Sequence, residues 1–360
     1  MLMDISVICG RLDDNTLVRS YLLLKTLPEA SVTVYGPADS GKLYPFFERD
    51  AVDFEILPVS QRIPYVRQFI NIPRLWRFLR RNIGSTDLLY FASGWKHTIL
   101  PGLATKFGHY QDVPSLLDIY DYTPWFDQVP MVNPPELFDA VIASNEPLAR
   151  SVDGQTVYTP VDTDRFDPGR FDKHSIQSEL GIASDEFVAG FIGTPRPEKG
   201  VDHLVDAVDG SETDVRGLIV GAGKDGYAGE LRSRASDQTV FVEPVPHSEI
   251  PKYYAAIDVL VLAQQTSSFG KYQMPAKLFE AMSMAKPVIV TDIGDLPEVV
   301  GKTGEVITEP STEALKEAFK TLRQGNIAQK GHEARKRACG RYSERVIGQQ
   351  LQSIIDNLVH

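Results

Sequence analysis

Short apolar runs rich in β-branched residues alternate along the chain with segments whose apolar residues recur at helical spacing. The first half contains six such runs: ISVICG, SVTVYG, DFEIL, DLLYFAS, PSLLDIYD and AVIAS. The second half contains five more: EFVAGFIG, VRGLIVGAG, TVFVEPV, VLVLAQ and KPVIVT. Because strands that alternate with helices pair in parallel, this pattern predicts an α/β fold with two doubly wound, Rossmann-like domains.

A stretch rich in Asp, Pro and Gly, TPVDTDRFDPGRFDKHSIQSELGIASD, separates the two series of runs. It predicts one domain over residues 1–165 and another over residues 166–341. A last helix over 342–360 has one apolar face, and we expect this face to pack back on the first domain; it is formed by Val346, Leu351, Ile354 and Ile355. Ligands of paired parallel sheets bind at the carboxyl ends of the strands, so we expect the site in a cleft between the domains.

Composition narrows the classes of function. A net charge of -11 argues against general binding of nucleic acid. Only two cysteines are present, Cys9 and Cys339, which argues against a disulfide framework and fits a reducing cytosol. The chain has no run of 18 apolar residues, and its first strand begins almost at once after Asp4. We therefore expect a cytoplasmic protein that neither carries a secretion signal nor spans a membrane.

One segment departs from the acidic character of the chain, since no Asp or Glu occurs from Ile56 to Thr86. Its basic and aromatic residues are interleaved: Arg62, Tyr65, Arg67, Phe69, Arg74, Trp76, Arg77, Phe78, Arg80 and Arg81. One interpretation is a peripheral contact of residues 62–81 with anionic lipid at the cytoplasmic face of a membrane. The other is a solvated helix that turns Leu75, Phe78 and Leu79 to the core.

A cation stands at the start of a predicted helix in QMPAKLFEAM, residues 273–282. Pro275 fits the first helical position, which places Lys277 near the third and Glu280 one turn further on the same face. A lysine there opposes the helix dipole. It either pairs with Glu280 on the surface or meets an anion, and GTPRPEKG, residues 193–200, offers two more cations after a strand, Arg196 and Lys199.

Six stretches in this order resemble the carboxyl-terminal half of a GT-B glycosyltransferase of the retaining family 4, also called glycosyl transferases group 1. They are TPVDTDRF, GTPRPEKG, LIVGAG, VPHSEIPKYYAAIDVLVLA, PAKLFEAMSMAKPVIVTD and GDLPEVV, over roughly residues 158 to 300. The resemblance implies a metal-independent enzyme that moves a sugar, with retention, from a nucleotide-diphosphate-sugar donor to a hydroxyl of a glycan or lipid-linked acceptor. The second domain would bind the donor and the first the acceptor.

The resemblance also implies roles for single residues of the second domain. Arg196 and Lys199 match the basic pair that grips the donor diphosphate, although the family's arginine usually stands at Thr194. With Lys277 they would neutralise the leaving pyrophosphate. Glu280 matches the glutamate that binds the ribose hydroxyls.

Two departures concern the same signature. The first of the family's paired glutamates would fall at Tyr272, and Lys277 with Leu278 matches a subgroup that reads Pro-x-Lys-Leu-x-Glu.

Two further residues are candidates for donor binding. Free backbone groups around Val245 could meet the planar base of the nucleotide. Gly10, after the first strand, either approaches the donor phosphate or makes an ordinary turn.

Candidates for catalysis lie in the first domain. ASGWKHT, residues 92–98, follows a strand, so that His97 faces the ligand or lies on a helix surface. LLDIYDY, residues 116–122, ends another strand, and Asp121 is the choice for orienting the acceptor hydroxyl.

Other motifs have competing interpretations. VGAGKDG, residues 220–226, is a literal G-x-G-x-x-G with Glu243 about twenty residues on, as in dinucleotide sites, but Gly221 and Gly223 equally suit a tight turn. The Asp-Thr-Asp at 162–164 resembles a metal motif of another glycosyltransferase fold, yet it lies in PVDTDRF, which the family uses structurally. The histidines show no ligand spacing, so we expect no metal.

Two further functions remain open. The missing glutamate at Tyr272 would suit a catalytically silent subunit that only binds nucleotide sugar. A GT-B sugar-nucleotide epimerase would isomerise the donor without an acceptor.

Overall fold

The computed structural model describes residues 2–39, 41–47, 52–59, 67–92, 96–120, 137–211, 215–224 and 226–359, without the side chains of 67–71, 96–98, 268 and 269. The chain divides into two compact units, Met1–Pro160 with Glu344–His360, and Val161–Ser343. Each unit is built on one parallel sheet, which confirms the predicted α/β class and the two Rossmann-like domains.

The first unit contains a seven-stranded sheet in the order β3-β2-β1-β4-β5-β6-β7. Its strands are β1 (Met3–Cys9), β2 (Ala30–Asp39), β3 (Asp53–Val59), β4 (Leu88–Ala92), β5 (Ser115–Ile119), β6 (Ala140–Ala143) and β7 (Gln155–Thr156). Its helices are α1 (Val18–Leu24), α2 (Arg67–Asn82), α3 (Lys96–His109), α4 (Glu146–Ser151) and α14 (Glu344–Val359). Every residue of β4 and β5 is buried, as expected for central parallel strands covered on both faces.

The last helix, α14, belongs to the core of this unit. Ile347, Leu351, Ile354 and Ile355 join the cluster that is built on β1, β2 and β4. Gly348 lets the helix approach closely, because a methyl group there would lie 2.8 Å from Cβ of Thr26. The predicted apolar face included Val346, but Val346 is only half-buried. The residue of this turn that faces the core is Ile347, which is 1% exposed. The helical spacing from Leu351 and Ile355 selects Ile347.

The second unit contains a six-stranded sheet in the order β10-β9-β8-β11-β12-β13. Its strands are β8 (Phe187–Ile192), β9 (Val215–Val220), β10 (Thr239–Val242), β11 (Val259–Leu262), β12 (Val288–Thr291) and β13 (Glu305–Ile307). Its helices are α5 (Lys173–Glu179), α6 (Val201–Asp209), α7 (Gly226–Arg234), α8 (Ile250–Ala256), α9 (Ser268–Lys271), α10 (Ala276–Ser283), α11 (Leu296–Val300), α12 (Thr312–Gln324) and α13 (Ile327–Arg341). The strand order reverses direction between β8 and β11, which is where doubly wound sheets bind ligands.

Residues 161–167 tie the start of the second unit to its end. Val161 forms a parallel bridge with Ser343, and its amide donates to Tyr342 O at 2.9 Å. Asp162 accepts the amides of Asp164 and Arg165 at 3.1 and 2.9 Å through one carboxylate oxygen. The carboxylate therefore closes a turn, which is a structural role for this Asp-Thr-Asp stretch.

A buried ion pair connects α1 to the sheet of the first unit. Arg19 Nε donates to Asp118 Oδ1 at 2.9 Å, and the two residues are 6% and 0% exposed. Ser20 and Tyr90 donate to the other oxygen at 2.7 and 2.8 Å. The guanidinium also donates to Val157 O at 2.6 Å. Buried charges need such complete partnering, so this network is structural.

Replacing Arg19 with Met should destabilise the first unit by about 3–5 kcal/mol, because it leaves the Asp118 carboxylate buried without its cation. Denaturant unfolding of the full chain measures the loss. Arg150→Met is the control, since that side chain is 78% exposed and forms an ion pair with Glu146 one helical turn away. An equal, small effect of both variants would contradict the structural role.

Candidate functional site

The candidate site lies at the carboxyl edge of the second sheet. The loop after β8 carries Arg196 and Lys199 and ends in a short 3-10 turn, Pro197–Lys199, before α6 begins. Helix α10 begins after β11 and the short helix α9, and it carries Lys277 and Glu280. Because β8 and β11 are parallel neighbours, their carboxyl ends bring these two segments to one place.

The start of α10 differs from the sequence prediction by one position. Pro275 has ψ 122° and is the N-cap, so Lys277 is the second helical residue and not the third. The carbonyl of Pro275 accepts the amide of Leu278 at 3.0 Å, which closes the first turn. Lys277 still stands in the first turn, at the positive end of the helix dipole.

Lys277 is held in surroundings that disfavour its charge. Desolvation by burial lowers its pKa to about 7, with further lowering by the charges of Lys199 and Arg196, while Glu280 acts in the opposite direction. Its ammonium lies 4.3 Å from the centroid of the Phe191 ring, whose face attracts a cation. The charges of the other two cations that the sequence singled out thus act on Lys277. The alternative of a surface lysine paired with Glu280 does not describe this arrangement, since no ion pair joins the two among the described residues.

Two glycines make room for this ammonium. Gly193 has φ +129°, and a methyl group there would lie 2.3 Å from Nζ of Lys277. Gly221, with φ +93°, packs against Gly193, and a methyl group there would lie 2.9 Å from its carbonyl carbon. Gly221 therefore serves a close approach of two backbones after β8 and β9. This accounts structurally for the first glycine of the G-x-G-x-x-G stretch.

Lys199 is oriented by two side-chain amides. Its Nζ donates to Gln264 Oε1 at 3.3 Å and also to Gln273 Oε1. Amide oxygens orient an ammonium without neutralising it. Arg196, at the start of the 3-10 turn, is exposed.

Glu280 accepts two hydrogen bonds from other segments. The Tyr254 hydroxyl donates to one carboxylate oxygen at 2.8 Å, and His247 Nε2 lies 3.3 Å from the other. Burial acts to raise the pKa of Glu280, but these bonds, the charge of His247 and the charge of Lys277 together lower it below the ordinary value. Glu280 is therefore an ionised acceptor at neutral pH. Sequence analysis singled out the segment of His247 for Val245 and missed the histidine.

The remaining candidates of the second unit are placed as follows. Val245 is half-buried and stands before the 3-10 turn His247–Glu249. The side chain of Leu278 is fully buried, so only its backbone could contact a ligand. Tyr272, where the family has its first glutamate, ends α9 and is half-buried.

The candidates of the first unit are less fully described. Gly10 is buried and directly follows β1. His97 lies in the first turn of α3, at the carboxyl end of β4, and its side chain is outside the described part. Asp121 lies outside the described residues. Its neighbour Tyr120 donates its hydroxyl to Thr16 O.

The basic segment forms α2 over its described part. Leu75 and Leu79 are buried and Phe78 packs on Tyr35 with ring centroids 6.5 Å apart, as in the solvated-helix interpretation. The described arginines of its outer face are all exposed: Arg74, Arg77, Arg80 and Arg81. Among the described helices, none combines the length and apolarity that crossing a bilayer requires. Within the same part of the chain, no three His, Cys, Asp or Glu side chains are grouped as metal ligands.

Residues 186–324 match a family described as Glycosyl transferases group 1. A lipopolysaccharide core biosynthesis mannosyltransferase, LpsB of Rhizobium meliloti (strain 1021), is 29% identical over 197 residues, which cover 50% of this chain and 54% of that protein. A D-inositol 3-phosphate glycosyltransferase of Corynebacterium glutamicum (strain R) is 30% identical over 177 residues, 45% of this chain and 41% of that one. The matched part thus spans about half, or less, of these relatives.

Solved structures resemble the whole chain. Anabaena Alr3699/HepE, crystallised in complex with UDP, has a TM-score of 0.77 at 19% identity, over 99% of this chain and 100% of that one. Sucrose-phosphate synthase from Thermosynechococcus elongatus has a TM-score of 0.74 at 17% identity, over 99% of both chains. The predicted GT-B glycosyltransferase resemblance is confirmed. Membership in family 4 and in the Pro-x-Lys-Leu-x-Glu subgroup stays a prediction.

Replacing Lys277 with Met should raise thermal stability most at acidic to neutral pH. The unfolded lysine keeps its proton up to about 10.5, whereas the folded one loses it near a pKa of about 7. The unfolded state therefore binds more protons between these values, and the wild-type protein gains stability as pH rises across them. The difference in melting temperature should shrink from pH 6.5 to pH 9.

Lys302→Met is the control for this series, because Lys302 is exposed. Its difference from wild type should stay small and constant with pH. A Lys277→Met difference that is equally flat would show that the ammonium is not penalised in the folded protein.

Proposed function

We propose that this chain, whose second unit carries the glycosyl transferases group 1 domain on a GT-B fold, transfers a sugar from a nucleotide-diphosphate donor to an acceptor hydroxyl. The observation that carries the proposal is that the charges of Lys199 and Arg196 act on the buried Lys277, one turn before the ionised Glu280 on α10. A cluster of cations suits a diphosphate, and a carboxylate suits hydroxyl groups that donate to it. A nucleotide diphosphate carries both the diphosphate and the ribose hydroxyl groups.

In this proposal Glu280 accepts hydrogen bonds from the ribose. Tyr254 and His247 hold its oxygens from the side of α8 and the preceding turn. A carboxylate oxygen has lone pairs beyond those two bonds, so it can still accept from a ligand. Val245 would offer backbone groups to the base, and Gly10 would offer a backbone amide. The amide of Leu278 already donates to Pro275 O at 3.0 Å, so Leu278 contributes to the site by fixing the first turn of α10.

The three cations would act on the leaving group. When the bond between the anomeric carbon and the phosphate oxygen breaks, negative charge develops on the nucleotide diphosphate, and preorganised cations stabilise it. The new bond joins the anomeric carbon to the acceptor oxygen, and the hydroxyl proton passes to a base. Because side chains can supply the positive charge, the proposal requires no metal. Retention of configuration belongs to the proposal as well.

The acceptor is assigned to the first unit, with Asp121 and His97 proposed to orient its hydroxyl. A glycan or lipid-linked acceptor is supported by relatives whose names include lipopolysaccharide core biosynthesis and putative teichuronic acid biosynthesis. Structures of HepE with UDP and UDP-glucose support a nucleotide-sugar donor. The exposed arginines of α2 would hold the protein to an anionic membrane surface, where lipid-linked acceptors lie.

Binding of a nucleoside diphosphate should depend on Glu280 and Lys277. UDP, GDP and ADP are screened by thermal shift, and the one that raises the melting temperature is titrated by calorimetry. Glu280→Ala and Lys277→Ala should each weaken its binding about tenfold or more, because each removes a charged partner. Glu317→Ala is the control, since that side chain is 70% exposed on α12. Unchanged affinity in both site variants would refute the site.

Turnover separates the proposal from its alternatives. The pure protein should slowly release free nucleotide from the donor that it binds. Tight binding without turnover would instead support a silent subunit, and an isomerised donor would support an epimerase. Only the first outcome agrees with a transferase.

Membrane contact has its own test. Wild-type protein should float with vesicles that contain anionic lipid, and less so as salt rises. Changing Arg74, Arg77, Arg80 and Arg81 to Gln should reduce this binding more than tenfold, at about 1 kcal/mol for each charge near the surface. The matched control changes four exposed cations of the second unit to Gln: Lys302, Lys320, Arg323 and Lys336. Equal binding by both variants would exclude α2 as the contact.

A further inference from the structure

Gln264 lies at the carboxyl end of β11 and is 2% exposed. The backbone on both sides of it contacts the loop that carries Arg196 and Lys199. The amide of Gln265 donates to Glu198 O at 3.1 Å, and Gly200 lies so close to Ala263 that a methyl group there would be 2.0 Å from its carbonyl oxygen. Gln264 is therefore a fixed part of the site's wall.

The contact with Lys199 fixes which way the Gln264 amide points. An ammonium can only donate, so the oxygen and not the nitrogen of the amide must face Nζ of Lys199, at 3.3 Å. The Nε2 group then forms the other arm of the amide, next to the oxygen that faces the ammonium. It is buried, and it meets no acceptor among the residues that the structure describes.

A buried donor without an acceptor is uncommon in native proteins, because it has lost its water and gained nothing in return. The charged group that contacts Gln264 is a donor, Lys199, whose charge acts with that of Arg196 on Lys277. A ligand held by these cations must present acceptor oxygens, and an additional N–H beside them would meet one. The amide is neutral, so it adds a donor and leaves the positive charge of the cluster undiminished.

We propose that Gln264 is a donor-binding residue whose Nε2 donates to an oxygen of the nucleotide-diphosphate sugar. This inference rests on the proposed function and adds a contact to it. The oxygen belongs either to the diphosphate or to the transferred sugar, and the two can be separated by ligands with and without the sugar.

The experiment measures dissociation constants by calorimetry for the full chain. The ligands are UDP, GDP and ADP, and the sugar nucleotides UDP-glucose, GDP-mannose and ADP-glucose. Gln264→Met keeps the length of the side chain and removes the donor, so it should weaken binding of the preferred sugar nucleotide about tenfold. Gln264→Glu keeps the shape and the oxygen that faces Lys199. It replaces the donor with an acceptor and adds a negative charge, and it should weaken binding further.

The matched control is Gln177→Met. Gln177 is 0% exposed, lies on α5 with its Nε2 bonded to Ala256 O at 2.9 Å, and also has one buried amide atom without a described partner, its Oε1. It is not among the groups that act on Lys277. Its replacement should alter the melting temperature and leave both classes of ligand bound as in wild type.

Each result has one meaning. Equal losses for the nucleoside diphosphate and its sugar conjugate by Gln264→Met assign the contact to the diphosphate, and a loss for the conjugate alone assigns it to the sugar. Wild-type affinity in both Gln264 variants overturns this inference and leaves the proposed function standing. A wild-type protein that binds none of the six ligands overturns the proposed function, and this inference with it. Should Gln264→Met fail to fold, wild-type affinity of Gln264→Glu, which also lacks the donor, overturns this inference by itself.

Discussion

The burial of the Lys277 ammonium within reach of two further cations, Lys199 and Arg196, is the constraint on which the candidate site depends. Burial is the main cause of the lowered pKa of Lys277, and the charges of Lys199 and Arg196 lower it further. Several of the groups that contact these charges carry no charge themselves. An aromatic face lies against one ammonium, two amide oxygens face another, and a glycine replaces any side chain that would intrude. An arriving anion would find the cations already in position, and no reorganisation would be needed.

The buried ion pair of the first unit shows how a structural charge is treated in the same chain. Asp118 receives three donors from Arg19, Ser20 and Tyr90, so its charge is compensated inside the fold. The Lys277 ammonium instead lies against the uncharged ring of Phe191. Full pairing of a buried charge, as at Asp118, favours stability, because an uncompensated buried charge raises the free energy of the folded protein. Burial of a cation beside other cations, as at Lys277, is expected where a protein binds a ligand.

The sequence predicted the sheet well and the side-chain contacts poorly. All eleven apolar runs contain strands, whereas the short edge strands β7 and β13 were missed because two or three residues leave no periodic pattern. The cation at Lys277 was found because a lysine at a helix start conflicts with the dipole. The roles of His247 and Gln264 were not found. Each depends on a partner from a distant segment, Glu280 or Lys199, and such pairing is decided by the packing of β11, α8 and α10.

The return of α14 to the first unit sets an order of events during synthesis. Residues 344–360 are synthesised after the whole second unit. Until then the nascent amino-terminal half lacks Ile347, Leu351, Ile354 and Ile355 and leaves an apolar surface of its core uncovered. The second unit has its complete sequence earlier and can mature first. A translation product that stops before α14 would therefore leave this apolar surface exposed, and chaperones would be expected to bind it.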